Sequence, residues 1–282
     1  MRKNILRRAR PVVEMPSTLR PVTGFPFEVH ASVGAEEHAK RLATMVQHAR
    51  GWFSKTLDVP EVETYLLCLA PKDWNAHCPV PVFGVPYEDD GNGIIVGHGR
   101  AGFVTELVEQ AWPHLDAAMR ERLTKAYGSP ADATPYLDLV AIHELAHGVQ
   151  IQGGWSFPRF WLYELWPQVA MVAYVAANHP EKLEALDALH DAAGKMPIAA
   201  LPASSLDEMG ESFQHGAWLY AWYEFRLGAF ARLLWERGGV KGVRSLFEDF
   251  RDEGMSDDQI VAKLRAIHPD LAKAIVEWPR MA

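Results

Sequence analysis

The chain has 282 residues, a formal net charge of −8 and two cysteines, Cys68 and Cys78. A chain of this length can bury a substantial core without cross-links, and so few cysteines exclude a disulfide framework and fit a reducing compartment. The acidic balance argues against a nucleic-acid partner, which requires clustered Lys and Arg, and no run of about 18 apolar residues is present to span a membrane.

Arg2, Lys3, Arg7, Arg8 and Arg10 open the chain, with Pro11, Pro16 and Pro21 after them. Ile5-Leu6 is too short for the apolar stretch of a signal peptide, so residues 1–20 are expected to be a loose, solvated basic arm on a soluble cytoplasmic protein. Phe25 to Ser32 alternates as a strand. Gly34 to Leu57 carries Ala39, Leu42, Ala43, Val46, Ala49 and Phe53 at helical spacing, and Val62 to Ala70 reads as a buried strand. The opening is therefore β-α-β, with Cys68 an inert core thiol. Pro79, Pro81 and Pro86 assign the segment from Trp74 to Asp90 to a loop. Asp89-Asp90-Gly91-Asn92-Gly93 is a turn, and Ile94-Ile95-Val96 a short strand expected at the sheet edge.

Phe103 to Tyr127 has a helical pattern interrupted at Pro113 and ended by Gly128-Ser129-Pro130. Thr134 then caps a helix that starts with Pro135 and stops at Gly153-Gly154. Helices follow over Phe160 to Ala177 and Pro180 to Ala193. Ser205 and Glu208 form a capping box for a long helix reaching about Trp235, and two amphipathic helices lie near 240–252 and 256–278. The composition turns helical and aromatic-rich after Gly154. This predicts an α/β subdomain over 21–153 and an all-helical one over 154–282, with most of the aromatic residues in the core.

His143-Glu144-Leu145-Ala146-His147 is an H-E-x-x-H run in the helix that ends at Gly153. Helical geometry puts residues i and i+4 on one face, so His143 and His147 converge on one point, a pairing that suits Zn²⁺. Glu144 projects beside that point and can accept a proton from a zinc-activated water. A catalytic zinc needs a third protein ligand, and Glu164 in Phe160-Trp161-Leu162-Tyr163-Glu164-Leu165-Trp166 is the best candidate. A carboxylate among aromatic neighbours is costly unless it is paired, protonated or bound to a cation. The alternatives are a Glu164 that points to solvent and a chance motif whose histidines are solvated or held in the core. Pro167 places Glu164 in the first turn of its helix.

With these residues the chain resembles the gluzincin metallopeptidases, the superfamily of thermolysin and the alanyl aminopeptidases, and most nearly the peptidase MA-like group. Trp161-Leu162-Tyr163-Glu164 matches the W-L-x-E of that superfamily and departs from it at Leu165, where the family has Gly; the interval from His147 is slightly short. The resemblance covers roughly residues 25–250. It implies an α+β, zincin-like fold with a small N-terminal mixed sheet, zinc ligands His143, His147 and Glu164, and Glu144 as general base. At the family's Y-x-x-G position stands Phe213-Gln214-His215-Gly216, so the oxyanion-binding tyrosine is replaced by phenylalanine. His215 is the first substitute donor, with Tyr220 and His98 as others. The implied function is zinc-dependent hydrolysis of a peptide or protein substrate bound along the 94–98 strand. That strand lacks the carboxylate with which alanyl aminopeptidases hold a free amino terminus, which favours an endopeptidase. The alternative is a zinc protein that binds a peptide or protein partner without cleaving it.

Overall fold

Tyr65-Leu66-Leu67-Cys68-Leu69 is apolar at every position, so a strand built from it needs cover on both faces. The computed structural model of the protein, which describes residues 18–90, 92–128 and 132–279, provides that cover. Strand β3 (Tyr65–Leu69) lies at the centre of a five-stranded sheet of order β1-β2-β3-β5-β4. β2 (Glu28–Ala31), β3 and β5 (Gly93–Gly97) run parallel, while β1 (Arg20–Pro21) and β4 (Tyr87–Asp89) pair antiparallel at the two edges. The period-two alternation sorts the side chains. Leu66, Cys68, Ile94 and Val96 join the main core, and Tyr65, Leu67, Leu69 and Ile95 form a smaller cluster with Trp74 on the opposite face.

Two expectations change here. The strand at 94–96 is interior, since β5 pairs with β3 on one side and β4 on the other. The edge belongs to β4, which the proline-rich segment had concealed. Helix α2 (Pro71–His77) runs into that segment, and its proline sits in the first turn, where no amide hydrogen is needed. Gly93 has a packing reason. A Cβ there would lie 2.4 Å from the Tyr65 ring, whose hydroxyl donates to Asp89.

Helix α1 (Glu36–Trp52) buries Ala39, Leu42, Ala43, Val46 and Ala49 as the spacing predicts, and one π-helical turn carries the chain on to Leu57. Helices α3 (Gly102–Ala111) and α4 (Ala117–Tyr127) flank the break at Pro113, and Asp116 caps α4. Helix α5 (Thr134–Gly153) ends at Gly154, which adopts the left-handed conformation that glycine allows. Thr134 is its first residue rather than its cap, and its hydroxyl donates to Asp132. Helix α6 (Phe160–Asn178) is buried nearly all round and packs on α5 and on α8 (Ala217–Asp249).

The long helix expected after Ser205 is broken. Its capping box is present, but it starts a 3-10 segment, Leu206–His215, that stops at Gly216, where φ is 109°. α8 begins beyond that turn and kinks at Gly239. Helix α7 (Leu183–Gly194) and the terminal helices α9 (Asp257–Ile267) and α10 (Pro269–Val276) complete the chain. The architecture is α+β, and one buried apolar cluster runs from Val29 to Ala274, through the expected boundary at Gly154. No helix among the described residues is long and apolar enough to cross a membrane. The expected basic arm falls, over residues 1–17, outside the described residues; Arg20 pairs with Ala31 in the sheet.

Candidate metal centre

On α5, Leu139, Ile142, Ala146 and Val149 face the core, and the motif side chains meet α6. The Nε2 atoms of His143 and His147 lie 3.0 Å apart. Glu164 Oε2 is 3.0 Å from His147 Nε2 and 3.5 Å from His143 Nε2. Ligands around a tetrahedral ion at about 2.0–2.1 Å are separated by about 3.3 Å, so the three atoms form a fitting face for one metal ion. Burial sharpens the point, because the exposures of His143, Glu164 and His147 are only 4%, 4% and 6%. Two imidazole lone pairs aimed at each other away from water repel unless a proton or a cation lies between them.

Pro167 helps to orient this set by what it lacks. It lies inside α6, beyond the first turn expected for it, and having no amide hydrogen it leaves the Tyr163 carbonyl without its helical donor. Gln150 Nε2 donates to that carbonyl at 2.8 Å. The other end of the same amide, Gln150 Oε1, lies 2.8 Å from His147 Nδ1 and accepts its hydrogen. This bond fixes the tautomer that leaves the Nε2 lone pair for an ion. The Tyr163 ring stacks on the His147 imidazole with centroids 4.8 Å apart. His143 Nδ1 has no comparable partner among the described residues.

Burial works against the His147 imidazolium, but the Glu164 carboxylate outweighs it and raises the pKa to about 9. Glu164 is correspondingly held below the usual carboxylate range: burial opposes this, and His147 and His143 overcome it. Burial pushes His143 down to about 4, so it stays a neutral lone-pair donor near neutrality. It also pushes Glu144 up to about 8 against the pull of His147, with Glu164 and Glu88 adding to the rise. A divalent ion would take the place of the proton that His147 holds for Glu164.

Glu144 and the three ligand residues line a cavity of about 330 Å³. Its rim includes Tyr87 and Glu88 of the edge strand β4, and its walls include Val85, Phe103, Val140, Phe160 and Phe225. Phe213 and Tyr220 stand together in the wall, their rings 4.5 Å apart, because the turn at Gly216 folds the 3-10 segment back on α8. Tyr220 therefore lines the cavity beside Phe213, with its hydroxyl against the Glu224 carboxyl. His215 does not reach the cavity; it ends the 3-10 segment exposed to solvent. His98 also lies elsewhere, against His38.

Sequence reasoning missed Gln150, three residues beyond His147, and Glu224, a cavity carboxylate that accepts from Gln168 Nε2 at 2.6 Å. Burial, reinforced by the charge on Glu164, raises Glu224 well above the carboxylate range. Among the aromatic residues the expectation of core holds for Trp161, Trp166, Trp222 and Tyr223, whereas Phe160, Tyr163, Phe213 and Tyr220 line the cavity. No family model, no curated protein and no solved structure matches the chain.

Proposed function

We propose that the protein is a zinc-dependent metallopeptidase with the cavity beneath β4 as its active site. The observation that carries this reading is the convergence of His143 Nε2, His147 Nε2 and Glu164 Oε2 in a cavity that also holds Glu144. Two imidazoles and a carboxylate suit zinc, and three protein ligands leave a position open, as hydrolytic zinc sites do. A bound zinc would supply a Lewis acid that polarises a carbonyl and acidifies a water.

The remaining chemistry belongs to the chain. Glu144, raised by burial to about 8, would be brought back toward neutrality by a neighbouring divalent charge, the range in which a proton acceptor works best. It accepts a proton from water and delivers it to the leaving amine. The Tyr220 hydroxyl supplies the hydrogen bond to the developing oxyanion that Phe213 cannot, a contribution of about 2.7–4 kcal/mol for a donor of this kind. An extended peptide adds to the edge strand β4, and the apolar walls accept a bulky apolar side chain.

The expectation of an endopeptidase rested on a 94–98 edge strand without a carboxylate. The edge is β4, and its Glu88 lines the cavity, so the substrate's free amino terminus has a carboxylate to meet. N-acetylated and free peptides of one sequence separate the two modes: an aminopeptidase cleaves the free peptide alone. The decisive test of the reading as a whole compares native protein with Glu144→Gln on a peptide library. Zinc retained with turnover lost in the variant supports the reading, and equal turnover by both contradicts it. Phe213 favours a second reading, a zinc protein that binds peptide without cleaving it, and saturable binding without products in the native protein would establish that reading instead.

A further inference from the structure

A second group of metal-ligating side chains lies outside the cavity. His38 belongs to the first turn of α1, Cys68 to β3, and His98 follows β5. Asp138 Oδ1, on α5, accepts from His38 Nε2 at 2.6 Å, which leaves His38 Nδ1 as the lone-pair nitrogen. Two donors crowd that one lone pair: His98 Nδ1 at 3.1 Å and Cys68 Sγ at 3.6 Å. One imidazole lone pair accepts one well-aligned hydrogen bond, so the convergence of a thiol and a second imidazole exceeds what hydrogen bonding uses. The spacings fit coordination better. Zinc bonds of about 2.0–2.1 Å to nitrogen and about 2.3 Å to sulfur give tetrahedral edges of about 3.3 Å between nitrogens and about 3.5 Å between nitrogen and sulfur.

We propose that His38, Cys68 and His98 form a second metal site, one that takes a thiolate-seeking divalent ion, zinc foremost. Imidazole and thiolate are the donors that zinc shares with few other abundant ions. Asp138 supplies the carboxylate-to-histidine bond that commonly orients a metal-bound imidazole. The sheet presets the other two ligands. Cys68 is in register with Ala31 and Val96, and the His98 amide extends the ladder by donating to the Leu69 carbonyl at 2.7 Å. Charge also balances, since the Cys68 thiolate and the Asp138 carboxylate together neutralise a divalent ion. Burial pushes the Cys68 thiol up to about 12, so it is protonated without an ion, and metal binding releases that proton to water. Burial, with the neighbouring His38, lowers His98 and keeps it a neutral ligand. Cys68 is fully buried while His98 is half-buried, so the site meets solvent on its His98 side. Such an ion would join α1, β3 and the segment after β5, and through Asp138 it would brace the helix that carries His143 and His147.

Cobalt(II) tests this apart from the cavity, because a thiolate-to-cobalt charge-transfer band reports sulfur ligation and the cavity ligands contain no sulfur. The metal-free full chain carrying His143→Ala and His147→Ala is titrated with Co²⁺ alone, and zinc is then added to displace it. The site predicts a band that saturates at about one equivalent, is bleached by zinc, persists with Cys78→Ser and disappears with Cys68→Ser. His98→Ala, at a half-buried position, should weaken binding about tenfold or more and decides the matter if Cys68→Ser fails to fold. A folded chain that gives no band, or a band that follows Cys78 rather than Cys68, overturns the proposal. Because both cavity histidines are absent from the titrated chain, failure of the peptidase reading does not alter this result.

Discussion

His147 and His190 are both buried imidazoles on helices, yet their surroundings set them to opposite tasks. His147 has a carboxylate at 3.0 Å and an amide at 2.8 Å, and its pKa rises to about 9. His190, on α7, packs among Tyr136 and Phe225 with no hydrogen-bond partner among the described residues at either nitrogen, and burial, helped by Arg226 and Arg232, lowers it to about 3. Burial alone therefore does not mark a site. What separates the cavity from the α7–α8 core is that several donors there are aimed at one point and one of them is oriented from behind.

The largest effect is expected at the residue that moves protons in the proposed reaction. Glu144→Gln keeps the metal ligands and should lower peptide turnover by about 10²- to 10⁴-fold, with zinc content unchanged by metal analysis. Tyr220→Phe removes only a hydroxyl and should lower kcat by about 10²- to 10³-fold with little change in KM; an unchanged kcat would remove Tyr220 from the mechanism. Gln150→Leu leaves every ligand in place but frees the His147 ring, so zinc affinity measured by chelator competition should fall about 10- to 100-fold.

The smallest effect on function is expected at His190. The unfolded His190 side chain takes up a proton near 6.5, while the folded one stays neutral down to about 3. Native stability should therefore fall as pH drops through that window, by up to about 1.4 kcal/mol per pH unit from this group. His190→Leu should flatten that acid limb in urea unfolding and leave zinc content and turnover as they were. An unchanged acid limb would show that His190 does not titrate as its surroundings require.

The parts of this arrangement that were legible in the sequence are those set by local geometry. Helical spacing alone joins His143 to His147, and a carboxylate in an aromatic run pointed to Glu164. The edge strand was not legible, because three prolines hid a strand whose hydrogen bonds come wholly from β5. The link from Pro167 through Tyr163 to Gln150 depends on two helices meeting, which no spacing along one of them reveals. Gly216 did offer a sign that the helix after Ser205 would break, and with that break Tyr220 lines the cavity while His215 does not. Nor does local pattern connect His38, Cys68 and His98, which meet only because parallel strands set β3 beside β5 and α1 across them.

Diffraction at the zinc absorption edge from crystals of the zinc-loaded chain tests the central claim most directly. The account predicts an anomalous scatterer at about 2.0–2.2 Å from each of His143 Nε2, His147 Nε2 and Glu164 Oε2. A zinc-loaded crystal with no scatterer among those three atoms, or with the Glu164 carboxylate turned away from both imidazoles, would contradict it.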